Sequence, residues 1–327
     1  MTSENNPMER RKMLIQLLRL GGVSAAATGL GFWLNGRSRR PEEPAAETLK
    51  RQFTVPADPS LPELVITRGG EPRQLVQRAI QELGGIGRFI SRGDVVVIKP
   101  NIAWDRSPAQ AANTNPDAVA EMVRLCREAG AKKVIVTDVS INDPRRSFER
   151  SGIGAAAHAE GAEVILTDER KFKEVDLHGE FLRSWPVFEP FLAADKMINM
   201  PVAKHHSLTG ATLGMKNWYG ILGGARQRLH QRIHESLVDL ADFMRPTLTL
   251  IDAYRVLVRN GPGGGNLGDV ALEKTVIAGT DPVAVDAYAA KTWWNLDYRT
   301  MRYLKLATER HLGNFNFESV RSRVVEL

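Results

Sequence analysis

The chain has 327 residues with 43% hydrophobic and 25% charged side chains, values ordinary for a globular protein with a core. Its single cysteine excludes a disulfide scaffold and an iron–sulfur cluster held by the chain's own thiolates. Residues 1–40 hold seven basic and two acidic side chains, whereas the remainder holds 37 basic and 36 acidic ones. The net charge of +6 therefore belongs mostly to the N-terminal segment, and the near-neutral remainder argues against nucleic-acid binding.

The N-terminal segment has the pattern of an export signal. Arg10 and Arg11 precede an apolar patch, and an uncharged stretch follows from Leu20 to Leu34. This stretch has 15 residues, whereas a membrane-spanning helix needs about 20. The paired arginines resemble a twin-arginine signal, which the twin-arginine export machinery recognises on folded proteins. We expect residues 1–40 to direct export to the periplasm or the extracytoplasmic face. The alternatives are an uncleaved membrane tether through residues 17–34 and an ordinary N-terminal helix.

A change of pattern marks the start of the folded body. Residues 41–61 are rich in proline and lack an apolar period, which is typical of an extended linker. From residue 62 onward, short β-branched apolar runs alternate with segments whose apolar residues recur at helical spacing. This alternation predicts an α/β fold, in which a mostly parallel sheet is covered by helices on both faces. We expect one such body over residues 62–327, built as one lobe or as two.

The elements follow in order along this body. The predicted strands cover residues 64–66, 94–99, 133–138, 163–168, 196–201, 247–252 and 274–278. The predicted helices cover residues 71–83, 115–129, 147–159, 233–243 and 281–294. Ligands of open parallel sheets bind beyond the carboxyl ends of the strands, so polar residues there are candidates for a site. Lys99 ends one predicted strand and Asn101 follows it, and Asp138 ends the next.

The segment after the fifth predicted strand is the richest in chemistry. Four of the chain's seven histidines lie between residues 205 and 234. Neutral imidazole is a common metal ligand and a general base near neutral pH. Lys216 lies in a glycine-rich turn, where a lysine can hold a phosphate or become a covalent anchor. His230 and His234 are spaced i, i+4, which would place both on one side of a helix, either as metal ligands or on a solvated face.

These residues together resemble the family called domain of unknown function 362. The matching segments are VVIKPNIAW (96–104), TNPDAVAEMVRLCREAGAKKVIVTD (114–138), NMPVAKHHSLTGATLGMKNWYGIL (199–222), SLVDL (236–240), IDAYRVLVRNGPGGG (251–265) and AGTDPVAVDAY (278–288). The family is similar, more distantly, to the N-terminal domain of nickel-dependent lactate racemase. That likeness implies that Lys216 anchors a nickel-pincer nucleotide, that His234 or His230 binds the metal, and that His206 is the acid and base.

The pattern and the resemblance together predict an exported enzyme. We expect it to use a divalent metal or an anionic cofactor in a redox or isomerisation reaction of a small hydroxy or oxo acid. The alternative is a non-catalytic periplasmic binding or assembly partner tethered by its leader. The expected catalytic residues are His206, Lys216 and Asp138. The residues expected to bind the small anion or cofactor are Lys99, Asn101, Lys204, Lys216 and Asn217, and the expected metal ligands are His205, His230 and His234.

Overall fold

The computed structural model describes residues 53–327, which belong to one compact unit. The export signal predicted over residues 1–40 lies outside the described residues, as does most of the linker predicted over residues 41–61. At residue 53 the chain already contacts the body, because the Phe53 amide donates to the Arg245 carbonyl at 3.1 Å. In residues 53–327, no helix is both long enough and apolar enough to span a membrane.

The strands form a ten-stranded sheet and a separate hairpin. They are β1 (Leu64–Arg68), β2 (Val95–Pro100), β3 (Lys133–Thr137), β4 (Glu163–Ile165), β5 (Phe172–Asp176), β6 (Ser184–Phe188), β7 (Lys196–Met200), β8 (Val202–His206), β9 (Gly210–Thr212), β10 (Leu248–Leu257), β11 (Val270–Gly279) and β12 (Ser322–Glu326). The large sheet runs β12-β1-β11-β10-β7-β2-β3-β4, with β8 beside β10 and β9 beside β8. Its run from β10 to β4 is parallel, whereas β11 is antiparallel to both of its neighbours. The predicted α/β class and the mostly parallel sheet are therefore confirmed.

Helices cover both faces of this sheet. They are α1 (Pro72–Glu82), α2 (Pro116–Glu128), α3 (Pro144–Arg150), α4 (Ile153–Ala159), α5 (Glu189–Leu192), α6 (Gly214–Asn217), α7 (Ile233–Met244), α8 (Pro282–Trp294) and α9 (Arg302–Glu309). In β2, Val96 and Ile98 pack into the apolar cluster that contains α1 and α2. Val97, which points to the opposite face, packs into the cluster that contains α7. Because side chains alternate along a strand, a continuous apolar run such as β2 needs a helical layer on each side.

The helix predicted over residues 147–159 is wrong as one element. The chain forms α3 and α4 instead, and Gly152 between them has a left-handed backbone with φ +72°. A residue in that conformation ends one helix, and glycine adopts it without steric cost. No element is predicted directly after residue 201, but the chain forms strand β8 there and turns back through β9.

Candidate functional site

The ends of β2, β3 and β8 meet at one edge of the sheet and surround a cavity of about 260 Å³. Loops after these strands and the segment that follows β9 complete its wall. The lining residues are Asn101, Ala103, Trp104, Asp138, Val139, Ile141, Lys204, His206, Thr212, Lys216, Asn217, Tyr219, Gly220, Arg226, His230 and Pro262. The structure therefore brings together six residues predicted for catalysis or ligand binding at the carboxyl ends of the strands. These are Asn101, Asp138, Lys204, His206, Lys216 and Asn217.

A buried ion pair forms the floor of this site. The Lys99 ammonium lies 2.7 Å from Asp138 Oδ1, and both side chains are at most 2% exposed. Asp138 Oδ2 also accepts the Ile102 amide at 2.6 Å. Burial lowers the pKa of Lys99, and the Asp138 carboxylate opposes part of that shift. Lys99, predicted to bind a ligand, lies behind the cavity wall with its ammonium occupied. Asp138 does line the cavity, but both of its oxygens already accept a hydrogen bond.

Gly220 allows the chain to pass directly over this ion pair. A Cβ atom at Gly220 would lie 2.0 Å from Asp138 Oδ1 and 2.6 Å from Lys99 Nζ. Both distances are far below van der Waals contact, so any side chain there would displace the pair. Gly220 is not predicted from the sequence as a site residue, because the need for a glycine there comes from Asp138 and Lys99, which are distant along the chain.

Amide side chains extend the ion pair into a network. Asn217 Oδ1 accepts from the Lys99 ammonium and from Asn101 Nδ2, each at 3.1 Å. Asn101 Oδ1 in turn accepts from the Lys204 ammonium at 2.8 Å, and Lys204 also donates to the Ala112 carbonyl at 2.6 Å. These buried polar groups are therefore satisfied by one another, which holds the strand ends in a defined arrangement. Burial lowers the pKa of Lys204 to about 7.

Lys216 differs from the other two buried lysines. Its side chain is 9% exposed, and among residues 53–327 it has no hydrogen bond or ion pair. Its ammonium instead lies 4.6 Å from the ring centroid of Tyr219. Burial lowers the pKa of Lys216 to about 8. The backbone next to Lys216 is held in place by Asp286. Its carboxylate accepts hydrogen bonds from the amides of Gly214 and Met215 at 2.7 and 3.0 Å.

His206 faces the cavity as a neutral ring. Its Nδ1 accepts the Leu208 amide at 3.1 Å, so the proton of the neutral imidazole belongs on Nε2. Burial and the charge of Lys216 lower the pKa of His206 to about 3. The ring is nearly parallel to that of His230, with centroids 6.4 Å apart. His206 can therefore offer an N–H to a bound oxygen without carrying a charge.

Arg226 is the main site residue that sequence analysis missed. Its guanidinium donates to the carbonyls of Val139, Tyr219 and Ser140 at 2.9, 3.2 and 3.0 Å. In the sequence it belongs to a run of basic residues that suggests a solvated face, and only its contacts with the β3 loop reveal a role. The Thr212 hydroxyl was missed as well. It is buried beside the cavity and has no hydrogen-bond partner in the described part of the chain.

The three predicted metal ligands do not share one site. His230 lines the cavity, whereas His205 accepts the Gly261 amide at 3.3 Å and His234 stacks on Tyr303 with centroids 6.4 Å apart. His230 and His234 also do not lie on one helix. His230 belongs to a 3-10 segment, and the backbone at Arg232 leaves the helical region at φ −135° and ψ 59° before α7 begins.

These positions also test the nickel-pincer group implied by the family likeness. Of its expected residues, Lys216, His206 and the alternative metal ligand His230 line the cavity, whereas His234 does not. Among residues 53–327, no three His, Cys, Asp or Glu side chains lie close enough to hold one metal ion by themselves. The expected anchor, the expected acid and base and one of the two alternative ligands are therefore neighbours, and the bound group itself stays a prediction. The metal-ligand role of the three histidines stays a prediction.

Comparisons with known proteins identify the family. The chain is 28% identical over 222 residues to "Thylakoid-associated protein sll1697" of Synechocystis sp., an alignment covering 63% of this chain and 65% of that protein. Among solved structures, the lactate racemase apoprotein from Thermoanaerobacterium thermosaccharolyticum aligns with 12% identity and a TM-score of 0.41, covering 69% of this chain and 56% of the other. A Thermotoga maritima protein aligns with 10% identity and a TM-score of 0.34, covering 73% and 58%.

The chain thus spans less than two thirds of the length of each of these proteins. The family model described as "Domain of unknown function (DUF362)" matches residues 96–291, a segment that contains all of β2 except its first residue, all of β3 and β8, and every residue lining the cavity. The chain belongs to the DUF362 family.

Proposed function

We propose that this protein is an enzyme that binds a small hydroxy or oxo acid in the cavity and catalyses its isomerisation or redox conversion. The observation that carries the proposal is an excess of positively charged side chains around the cavity. Lys204, Lys216 and Arg226 line the cavity, and none of them has a carboxylate within ion-pair distance among the described residues. The carboxylate that lines it, Asp138, is already paired with Lys99. Such a wall favours an anion, because a bound negative charge compensates cations that the fold leaves unpaired.

The size of the cavity supports a small ligand. Pockets for drug-sized molecules measure roughly 300–1,000 Å³, and this one measures about 260 Å³. In the proposed complex, Lys204 and Arg226 hold the carboxylate of the acid. His206 donates its Nε2 proton to the hydroxyl or oxo oxygen. Lys216 is the group that accepts or delivers a proton, since a lysine with a pKa of about 8 exchanges protons readily near neutral pH.

The proposal is tested by equilibrium binding and turnover on the full chain. Isothermal titration with lactate and pyruvate should give saturable binding, and chiral chromatography should detect inversion or oxidation of the lactate. Lys216→Met and His206→Gln should each weaken binding by about tenfold or more, the effect expected for losing one hydrogen bond to a charged group. Lys305→Met is the matched control, because Lys305 is exposed on α9.

The outcomes separate the proposal from its alternative. Unchanged affinity in both cavity variants would contradict the anion site. Saturable binding that depends on Lys216 without any turnover would instead favour the non-catalytic periplasmic binding protein. A metal-dependent reaction has less support, because only one of the three predicted ligands lines the cavity. Metal analysis of the purified full chain, with turnover measured before and after chelation, tests that form of the proposal.

We also propose that the leader directs export by the twin-arginine machinery. The support is the Arg10–Arg11 pair before the uncharged stretch, together with the name of the Synechocystis relative, which describes that protein as thylakoid-associated. Cell fractionation should find the protein outside the cytoplasm. The double variant Arg10→Lys/Arg11→Lys should retain it inside, whereas Arg39→Lys/Arg40→Lys, beyond the uncharged stretch, should not. Equal distribution of both variants would contradict twin-arginine export.

A further inference from the structure

The three buried lysines near the cavity have different surroundings. The Lys99 ammonium has three acceptors: Asp138 Oδ1, Asn217 Oδ1 and the Pro100 carbonyl. The Lys204 ammonium has two acceptors, on Asn101 and Ala112. Lys216 has none among residues 53–327. The fold thus provides partners for two of these ammonium groups and leaves the third one on the cavity wall without any.

A buried ammonium without acceptors is costly, and the cost is removed when the group gives up its proton. The uncharged amine that results has a free electron pair and is a nucleophile towards carbonyl carbon. A lysine desolvated in this way is a known route to covalent catalysis. Burial lowers the pKa of all three lysines, so it is the missing acceptor and the position on the cavity wall that distinguish Lys216.

The rest of the wall fits a carbonyl compound that is also an anion. Lys204 and Arg226 line the cavity, and neither has a carboxylate within ion-pair distance in residues 53–327, so their charges attract an anion. His206 has its Nδ1 engaged by the Leu208 amide, so its Nε2–H is the donor for the carbonyl oxygen. A donor at that oxygen polarises the carbonyl and supplies the hydrogen bond under which the oxygen leaves.

We propose that Lys216 forms an imine with the carbonyl carbon of a small 2-oxo acid bound in the cavity. The amine adds to the carbonyl to give a carbinolamine, and loss of water then leaves a carbon–nitrogen double bond. The oxygen leaves with both amine hydrogens as one water molecule, so no oxidant or reductant is consumed. The inference rests on the proposed anion site and deepens it by naming the substrate class and the mode of attachment.

Borohydride trapping on the full chain tests the inference. The protein is incubated with pyruvate, treated with sodium borohydride and measured by intact-mass spectrometry and peptide mapping. Hydride adds to the imine carbon and leaves a stable secondary amine, so one carboxyethyl group should be found on Lys216. Lactate, which has a similar shape and charge but a hydroxyl in place of the 2-oxo group, should give no adduct. Lys216→Arg should abolish labelling, and Lys305→Arg on the surface should leave it unchanged.

Each result decides the question, because the carboxyethyl group is mapped on the protein without substitutions. The outcome therefore does not depend on whether a variant folds. A carboxyethyl group on Lys216 at saturation supports the inference. Saturable pyruvate binding without an adduct, or labelling spread equally over surface lysines, overturns it while the proposed anion site stands. No binding of either pyruvate or lactate overturns both.

Discussion

The Lys99–Asp138 ion pair is the part of the site whose removal has the most calculable effect. Two unit charges 2.7 Å apart attract by about 6 kcal/mol at an effective dielectric constant of about 20. Lys99→Met removes that attraction and also takes a donor from Asn217 and from the Pro100 carbonyl. Because Asp138 would remain buried without its partner, we expect a loss of about 3–5 kcal/mol in the free energy of unfolding. The expected fall in Tm is about 6–20 °C for a domain of this size.

Urea unfolding followed by tryptophan fluorescence measures this loss, and a double-mutant cycle assigns it to the pair. Asp138→Asn alone should also be destabilising, but Lys99→Met/Asp138→Asn should cost at least about 1 kcal/mol less than the sum of the single variants. The matched control is Lys133→Met. Lys133 and Glu163 form an ion pair in the same sheet, but their side chains are 44% and 48% exposed, so the loss should stay below about 1 kcal/mol.

Two results would refute this reasoning. The first is a loss below about 1 kcal/mol for Lys99→Met, equal to that of the exposed pair. The second is strict additivity in the cycle, which would mean that the two charges do not stabilise each other. Either result would leave the network without an energetic role in holding the ends of β2 and β3 together.

Three further predictions concern the same cavity. Gly220→Ala should lower the free energy of unfolding by about 1–3 kcal/mol, because the added Cβ atom would overlap Asp138. Gly87→Ala is the control and should be nearly neutral, because no atom lies within 4 Å of the Cβ added there. Lactate affinity should fall as the pH rises from about 7 through about 8, since burial lowers the pKa of Lys204 to about 7 and that of Lys216 to about 8, and both charges are lost there. Lys216→Arg should keep more of that affinity at pH 9 than the unsubstituted protein does, because an arginine stays charged. Thr212→Val should leave Tm unchanged or slightly raised, because its hydroxyl has no partner in the described residues to lose; a clear fall in thermal unfolding would contradict this.

Local sequence patterns predict β2 and α2 well, because residues within each segment determine its apolar faces or its first turn. The β-branched run at β2 is apolar on both faces, and Asn115 accepts the Asp117 amide at the start of α2 as its sequence suggests. The ends of β2 and β3 follow from the same pattern, which predicts Asn101 and Asp138 as candidates there, whereas Lys204 lies within β8, a strand that the pattern does not predict.

The remaining features depend on partners distant along the chain. Arg226 belongs to the site through carbonyls about 86 residues earlier, and nothing in its own surroundings distinguishes it from a solvated arginine. The i, i+4 spacing of His230 and His234 implies a shared helix face, but the backbone at Arg232 interrupts the helix between them. Tertiary packing determines the backbone conformation at Arg232, and the i, i+4 spacing of the histidines does not predict it.

The parallel pairing of β1 with β12 has a consequence for how the chain reaches this fold. Leu64 in the first strand is aligned with Ser322 in the last one. This edge of the sheet can therefore close only after residues 322–326 have left the ribosome, and until then β1 has an open side that can pair with another chain. Contacts between such distant residues also make folding slow. Closing this edge is therefore a late step of folding, and it removes the open side of β1.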